Sequence, residues 1–469
     1  MSGYRIIHRH SEGPVFTSTV IQSEMIDENK NENENENASE NECPVFAVQF
    51  SPCNQTHHTQ RGSSGSSSAP AAGTGSKPPT RLLTSSADGF IRCYSITDKS
   101  AKADVLDASA LSMKLEQVLL LSSDDDDSCP CPYPKSKEAS MLSLGSATLS
   151  VVRNYLGEDT KAGGEIAAAL RLDGHVSLWK RDEQPVYPNH DNAVKDVDIN
   201  IDEKKSKPVV IKPDVEFQVK SCTGTTMTLL PPQLTGFSRH GIVMMVGMLD
   251  GAISFRSTGI GIPNSMKGND ESKFTEPGEI LDNVGAGNSI PLSLAVHPLH
   301  HLTFAVGRKD GSIDVYSSGT GNECFNDDVY GQFRRRHRLS QHAGSPVRAI
   351  AYTSDGSLLI SGCDEGHIYI HDMSSFHQNE TIRMVAAIHN AHKGYILSVA
   401  VLPDAKRFVT SSADRTLKVW NVGTPNAGPV HTFDTGNSSM VWDVSCSTDG
   451  HRCVSSSDDG CVQIYSCEE

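Results

Sequence analysis

The sequence contains no apolar run long enough to span a bilayer, and its opening residues, MSGYRIIHRHSEG, lack the apolar stretch of a secretory signal. Both absences lead us to expect a soluble intracellular protein that engages no membrane. Twelve cysteines are present but no CxxC pair. In a reducing compartment they read as core or surface thiols and not as a disulfide framework. Basic charge is scarce: 41 Lys and Arg stand against 57 Asp and Glu, a formal net charge of −16. This balance excludes a protein whose main work is gripping phosphate backbones, so no direct DNA binding is expected. Aromatic residues make up only 6% and hydrophobic residues 37% of the chain. The core is therefore diluted, either by insertions or by a fold built from many small residues. Catalytic signatures are missing as well. There is no HExxH and no GxSxG, and the segment GTGSK does not satisfy GxxxxGK[ST]. His57-His58, His300-His301 and Cys129-Pro-Cys131 lack the two convergent pairs of a zinc site. The sequence thus gives no reason to expect an enzyme, a cofactor or a metal.

What is present is a series of short β-branched or aromatic runs bounded by turn residues, among them VFAVQF, IRCYSI, VSLWK, VRAIAY, LKVWNV and VQIYS. Between them lie low-complexity stretches: an acidic tract at 28–42, a Ser/Gly/Pro spacer at 53–79, a polar stretch at 98–139 and a charged, Pro-punctuated one at 181–213. We expect these four to be disordered or low-complexity insertions. The best helix candidate, near Ala110–Leu120, is short. The expected class is all-β.

Seven segments share one pattern, an apolar strand, an Asp turn and a strand carrying an aromatic. The anchor aspartates are Asp88, Asp173, Asp250, Asp310, Asp364, Asp414 and Asp459. Six residues after the Asp stands an aromatic in five of the seven, Tyr94, Trp179, Tyr316, Trp420 and Tyr465; Phe255 and Tyr369 come one position early. Toward the C-terminus the spacing approaches the roughly 40–45 residues of a four-stranded propeller blade. In the sixth segment, His392, Ser412, Asp414 and Trp420 suit a buried relay. The Asp accepts from the His, the Ser links them and the Trp N–H closes the network, a structural role. These residues resemble the tetrad of WD-repeat proteins. The expected architecture is a single seven-bladed propeller over residues 1–469, with Tyr4–His8 as the closing strand beside the C-terminal repeat.

Over residues 290–467 the resemblance is more specific. SPVRAIAYTSDGSLLISGCDEGHIYIHDM, RFVTSSADRTLKVWNVGT, HTF and VWDV follow one another as in the WD-repeat subunit of superkiller complexes, which is also counted with the RNA-polymerase-associated factor complex. The resemblance implies a scaffold acting in cytoplasm and nucleus. Its implied partners are a tetratricopeptide-repeat scaffold and a DExH-type RNA helicase, which support exosome-mediated 3′-to-5′ mRNA decay, together with the transcription-elongation complex. The alternative is another WD-repeat adaptor, such as a cullin ubiquitin-ligase substrate receptor or a nuclear-pore subunit.

A propeller offers partners its narrow face, where the starts of the first strands meet the turns between second and third strands. Aromatics and arginine there are the expected anchors: Phe46, Leu292, Arg348, Tyr395 (or Leu397) and Trp442, with Lys309 and Asp458 just before their turn aspartates. The basic cluster Phe333–Arg338 reads as a solvated loop, with RNA contact or an import signal as its alternatives. The acidic run Asp124–Asp127 suits an acid-directed kinase or plain solubility.

Overall fold

β-Branched runs pack well on pleated surfaces and Asp-Gly pairs favour tight turns, so these segments fold as short antiparallel ladders. The computed structural model describes residues 6–7, 18–22, 44–51, 80–86, 90–98, 111–120, 146–154, 164–171, 174–181, 209–219, 224–230, 242–260, 275–299, 303–318, 333–374, 376, 381–434 and 439–466. They form seven sheets of four or five strands, the seven blades of a β-propeller. The first strands are Val45–Phe50, Ser146–Asn154, Gly224–Leu229, Pro291–Val296, Val347–Tyr352, Ile396–Val401 and Val441–Cys446. Each edges its own sheet and touches the first strands on either side, so together they line the axis.

The core is a set of seams. Each of seven hydrophobic clusters joins two neighbouring blades, and the last joins Val45, Phe50 and Leu82 of blade 1 to Val454 and Ile464 of blade 7. Second strands such as Val243–Met248 and Thr303–Arg308 are buried at every position, because both their faces are covered. Close approach demands small residues. A Cβ on Gly307 would collide with the Ser293 side chain and the Val347 carbonyl of the next blade.

Several expectations change. The strand beside the C-terminal strand Cys461–Ser466 is Ser18–Gln22, not Tyr4–His8; Ile6–Ile7 pairs outside it as a fifth strand. Leu111–Leu120, inside the stretch expected as insertion 98–139 and near the helix candidate, is the fourth strand of blade 1. Val209–Ile211, within 181–213, adds a parallel fifth strand to that blade. The basic cluster is not a loop, for Phe333–Leu339 is the outer strand of blade 4. The tracts at 28–42 and 53–79, the run Asp124–Asp127, and the anchors Asp88 and Asp173 lie outside the described residues.

The relay of blade 6 exists with a different link. Trp420 Nε1–H donates to Thr410 Oγ1 at 2.9 Å, and that hydroxyl lies 2.7 Å from His392 Nε2. His392 Nδ1 stands 3.0 Å from Asp414 Oδ2. The network assigns a neutral imidazole with its proton on Nδ1. Ser412, expected as the link, instead accepts from the Asp414 N–H. Burial pushes the Asp414 carboxyl up, but His392, the Thr416 hydroxyl and the Lys393 N–H overcome it and hold it well below the usual carboxylate range.

Strand pairing also realigns two repeats. Phe408 pairs with Trp420, Phe304 with Tyr316 and Cys453 with Tyr465; the matching pairs in blades 3 and 5 are Met244 with Arg256 and Leu359 with His371. The place of the aromatic is therefore held there by the buried Arg256 and His371, not by Phe255 or Tyr369. Blade 4 carries another variant. Fully buried Arg308 donates to Asp314 Oδ2 at 2.6 Å, to Tyr316 Oη at 3.1 Å, and to the carbonyls of Gly251 at 2.9 Å and Ser289 at 2.6 Å. It thus ties blade 3 to blade 4.

Removing Arg308 strands a buried carboxylate. Arg308→Ala should lower unfolding stability by about 3–5 kcal/mol, whereas Arg308→Met combined with Asp314→Leu should recover most of it. Urea midpoints decide this, and equal losses in the two variants would refute the ion-pair account.

The buried histidines predict acid sensitivity. Burial lowers His342 to about 3 and His371 to about 4, and lowers His392 also. Folded pKa values below the unfolded 6.5 mean the unfolded chain binds more protons. Stability from these groups is complete above pH 6.5 and falls as pH drops toward 4, by up to about 1.4 kcal/mol per pH unit for each of His342 and His371. Chemical denaturation at pH 7 and pH 5 measures the slope, and His371→Leu should flatten it.

Candidate functional site on the mouth of the ring

Each first strand opens with the same irregularity. The ladder slips between Val45 and Ala47, Ser146 and Thr148, Gly224 and Thr226, Pro291 and Ser293, Val347 and Ala349, Ile396 and Ser398, and Val441 and Asp443. The extra residue of the bulge is Phe46, Ala147, Thr225, Leu292, Arg348, Leu397 or Trp442. Bulges re-aim a side chain and recur beside functional sites. In four blades the residue following the second strand donates its N–H to the segment entering the first strand: Lys309 to Ile290, Asp364 to Pro346, Ala413 to Tyr395 and Asp458 to Met440. Bulges and second-to-third-strand turns therefore share one end of the ring, as the sequence implied.

Blades 5 and 7 use that geometry alike. Arg348 donates through Nε to Asp364 Oδ1 at 2.6 Å and through Nη2 to Oδ2 at 3.0 Å. Trp442 Nε1–H donates to Asp458 Oδ1 at 3.0 Å. In both, the bulge side chain is held by a carboxylate one residue past the second strand. The Arg348 guanidinium also lies over the Tyr395 ring, 5.9 Å from its centroid, and Tyr395 is 51% exposed. Phe46 meets Trp442 edge-on at 5.8 Å, across the junction of blades 1 and 7. Leu397 sits between the two clusters as the bulge of blade 6, half-buried. The result is an arc from blade 5 to blade 1 carrying Asp364, Arg348, Tyr395, Trp442, Asp458 and Phe46.

Two expected residues stand apart. Leu292 is the half-buried bulge of blade 4 and Lys309 is exposed in that blade's turn, at the same end but outside the arc. Asp364 was expected only as a turn anchor. The pattern N–H to Pro346 places it with Lys309 and Asp458, which leaves Glu365 in the place of Asp414. Counting from the end of the second strand, and not back from Tyr369, would have found it. Leu249, 46% exposed in the turn of blade 3, was also missed. Arg335 and Arg338 of the outer basic strand lean on Asp314 and Asp310, with Arg338 Nη2 2.8 Å from Asp310 Oδ2.

An arginine and a tryptophan held by carboxylates spend little conformational freedom on contact, so the arc suits protein recognition. Among the described residues, no three His, Cys, Asp or Glu side chains converge as metal ligands would. No helix among them is long and apolar enough to cross a membrane.

Of the three tryptophans, Trp179 and Trp420 are fully buried and Trp442 is half-buried. Acrylamide should therefore quench one tryptophan readily and two poorly, and Trp442→Phe should abolish the quenchable component. A quenchable signal surviving in that variant would mean the site is wrongly placed.

Comparison with known proteins agrees with the fold. The model of the WD domain, G-beta repeat, matches residues 333–372, 384–421 and 427–466. The target of rapamycin complex subunit wat1 of Schizosaccharomyces pombe is 34% identical over 85 residues, 18% of this chain and 27% of that protein. The non-functional target of rapamycin complex subunit LST8-2 of Arabidopsis thaliana is 29% identical over 115 residues, covering 24% and 35%. The human Denticleless protein homolog is 28% identical over 169 residues, covering 34% and 22%. The chain thus spans about a third or less of the length of these relatives. The WD40 beta propeller domain of Doa1 aligns over 83% of this chain and 90% of that one, with 14% identity and a TM-score of 0.46. The chain is a seven-bladed β-propeller that carries WD40 repeats.

Proposed function

We propose that the chain is an adaptor subunit of a larger assembly and that its partner docks on the arc from blade 5 to blade 1. The observation that carries this reading is the parallel geometry of Arg348 on Asp364 and Trp442 on Asp458. Such pairing sets two side chains of the types that dominate interface energetics before any partner arrives. At a partly exposed position the Arg348–Asp364 pair itself adds only about 0–1 kcal/mol to folding, so its value lies in orientation.

The assembly we favour is of the superkiller type, with a tetratricopeptide-repeat scaffold and a DExH-type helicase as partners. It would act in cytoplasmic mRNA decay and, in the nucleus, alongside the elongation complex. The order of motifs over residues 290–467 supports this reading. A second reading, a subunit of a target of rapamycin complex, is favoured by the similarity to wat1 and LST8-2.

Affinity purification of the tagged full-length chain from its own cells, followed by mass spectrometry, separates them. Co-recovery of an RNA helicase with a tetratricopeptide protein supports the first, and recovery of target of rapamycin complex proteins supports the second. Arg348→Ala with Trp442→Ala should weaken partner binding at least about tenfold, the equivalent of about 1.4 kcal/mol, in a chain that still folds, as its unfolding transition checks. Undiminished binding by the double variant would remove the arc as the docking site.

A further inference from the structure

Cys446 ends the first strand of blade 7 and Cys453 lies near the start of the second; the two are directly opposed in the antiparallel ladder. Neither is in a disulfide, and their sulfur atoms stand 3.1 Å apart. The next rung of the ladder carries the hydrogen bond from Ser447 N–H to the Arg452 carbonyl at 2.8 Å. Cys446 and Cys453 therefore occupy a non-hydrogen-bonded pair, the register with the closest side chains and a Cα separation of about 4.5 Å. That lies at the short end of the span a disulfide tolerates, roughly 4.4–6.8 Å. The hairpin between them is pinned, since Arg452 N–H donates to Ser447 Oγ, Ser447 Oγ–H to Asp449, and His451 N–H to Asp449. Little backbone movement is needed to join the sulfurs.

We propose that Cys446 and Cys453 are a redox-modification site, a dithiol that peroxide closes to a disulfide and a thiol reductant reopens. Exposure orders the steps. Cys446 is half-buried and within reach of solvent, whereas Cys453 is buried at the seam with blade 6, among Val409, Leu402 and Tyr465. The Cys446 thiolate attacks hydrogen peroxide; an S–O bond forms, the O–O bond breaks and hydroxide leaves, giving a sulfenic acid. The Cys453 thiolate then attacks that sulfur. The S–S bond forms, the S–O bond breaks and the departing hydroxide takes a proton to become water. Overall two thiols are oxidised and one peroxide is reduced to two waters. Two glutathione thiols reverse the process and leave as glutathione disulfide.

The test uses the full-length chain, treated with hydrogen peroxide, blocked with N-ethylmaleimide, digested and mapped by mass spectrometry. The expected product is a peptide linkage between Cys446 and Cys453, lighter by two hydrogens and absent after dithiothreitol. In Cys453→Ser, dimedone should trap Cys446 as a sulfenic acid. In Cys446→Ser, Cys453 should stay reduced and take up maleimide once the chain is denatured. Cys446 is the more exposed of the two, so that variant keeps the test valid should Cys453→Ser fold poorly. Sulfinic acid at Cys446 with Cys453 unmodified would overturn the proposal. So would a bridge to Cys461 instead, or the absence of reaction at peroxide levels that oxidise free glutathione.

Discussion

Everything in this molecule depends on the seams between blades. A four-stranded sheet buried on both faces has no core of its own, and each hydrophobic cluster draws its residues from two neighbours. The ring is stable only if the seventh blade meets the first. That junction is bonded as well as packed: Val48 N–H donates to Asp443 Oδ2 at 3.0 Å, and Phe50 N–H donates to Ser445 Oγ at 3.1 Å. Ser18–Gln22 adds the N-terminal chain to the outer side of blade 7. Chain ends separated by almost the whole sequence thus share one sheet, and a free edge beside Cys461–Ser466 is removed.

The same geometry tolerates different polar solutions because only satisfaction is required of a buried group. The link that serves His392 through Thr410 serves His342 through Ser361 at 2.9 Å, while in blade 7 Ser455 Oγ meets Tyr465 Oη at 3.2 Å. Blade 4 abandons the histidine and inserts the Arg308–Asp314 pair, whose other donors reach Tyr316 Oη, the Ser289 carbonyl and the Gly251 carbonyl of blade 3. A charge so deeply buried is sustained by the number of its partners, not by Coulomb attraction alone. In blade 5, Glu365 holds the place of Asp414 but lies 3.7 Å from His367 Nε2, and His342 Nδ1 has no partner.

How much of this was legible follows from where each signal originates. The seven-fold repeat was legible because Asp turns and aromatics are phase-locked by the ladder itself. Its misreading in blades 3 and 5 came from following aromatics, for Phe255 and Tyr369 look like the expected residue while Arg256 and His371 hold its position. Leu111–Leu120 is rich in Leu, Lys, Glu and Met, good helix formers, yet pairing with Phe90–Asp98 overrides that propensity. Both YRIIH and STVIQ are short apolar runs, and nothing local distinguishes the one that pairs with the last strand. In the site, residue type pointed to Arg348 and Trp442. Asp458 was also expected there, just before its turn aspartate, but not as the carboxylate that holds Trp442; Asp364 was hidden, because it was counted as the turn anchor beside Glu365, a residue of the same chemistry.

The arc adjoins the ring closure. Trp442 and Asp443 are adjacent on one first strand, and the bulge turns the first toward the mouth while the second stays in the ladder. Asp443 takes hydrogen bonds from Val48 of blade 1 and Ser398 of blade 6, and burial nonetheless raises its carboxyl above the ordinary value. Trp442 meets Phe46, which belongs to the same strand as Val48. A partner gripping Phe46 and Trp442 together holds the two blades whose parting would open the ring. Because such a partner binds only the closed form, its binding energy adds to the stability of the ring by mass action. On the proposed docking mode, the junction of the first and seventh blades would be the point that binding reinforces.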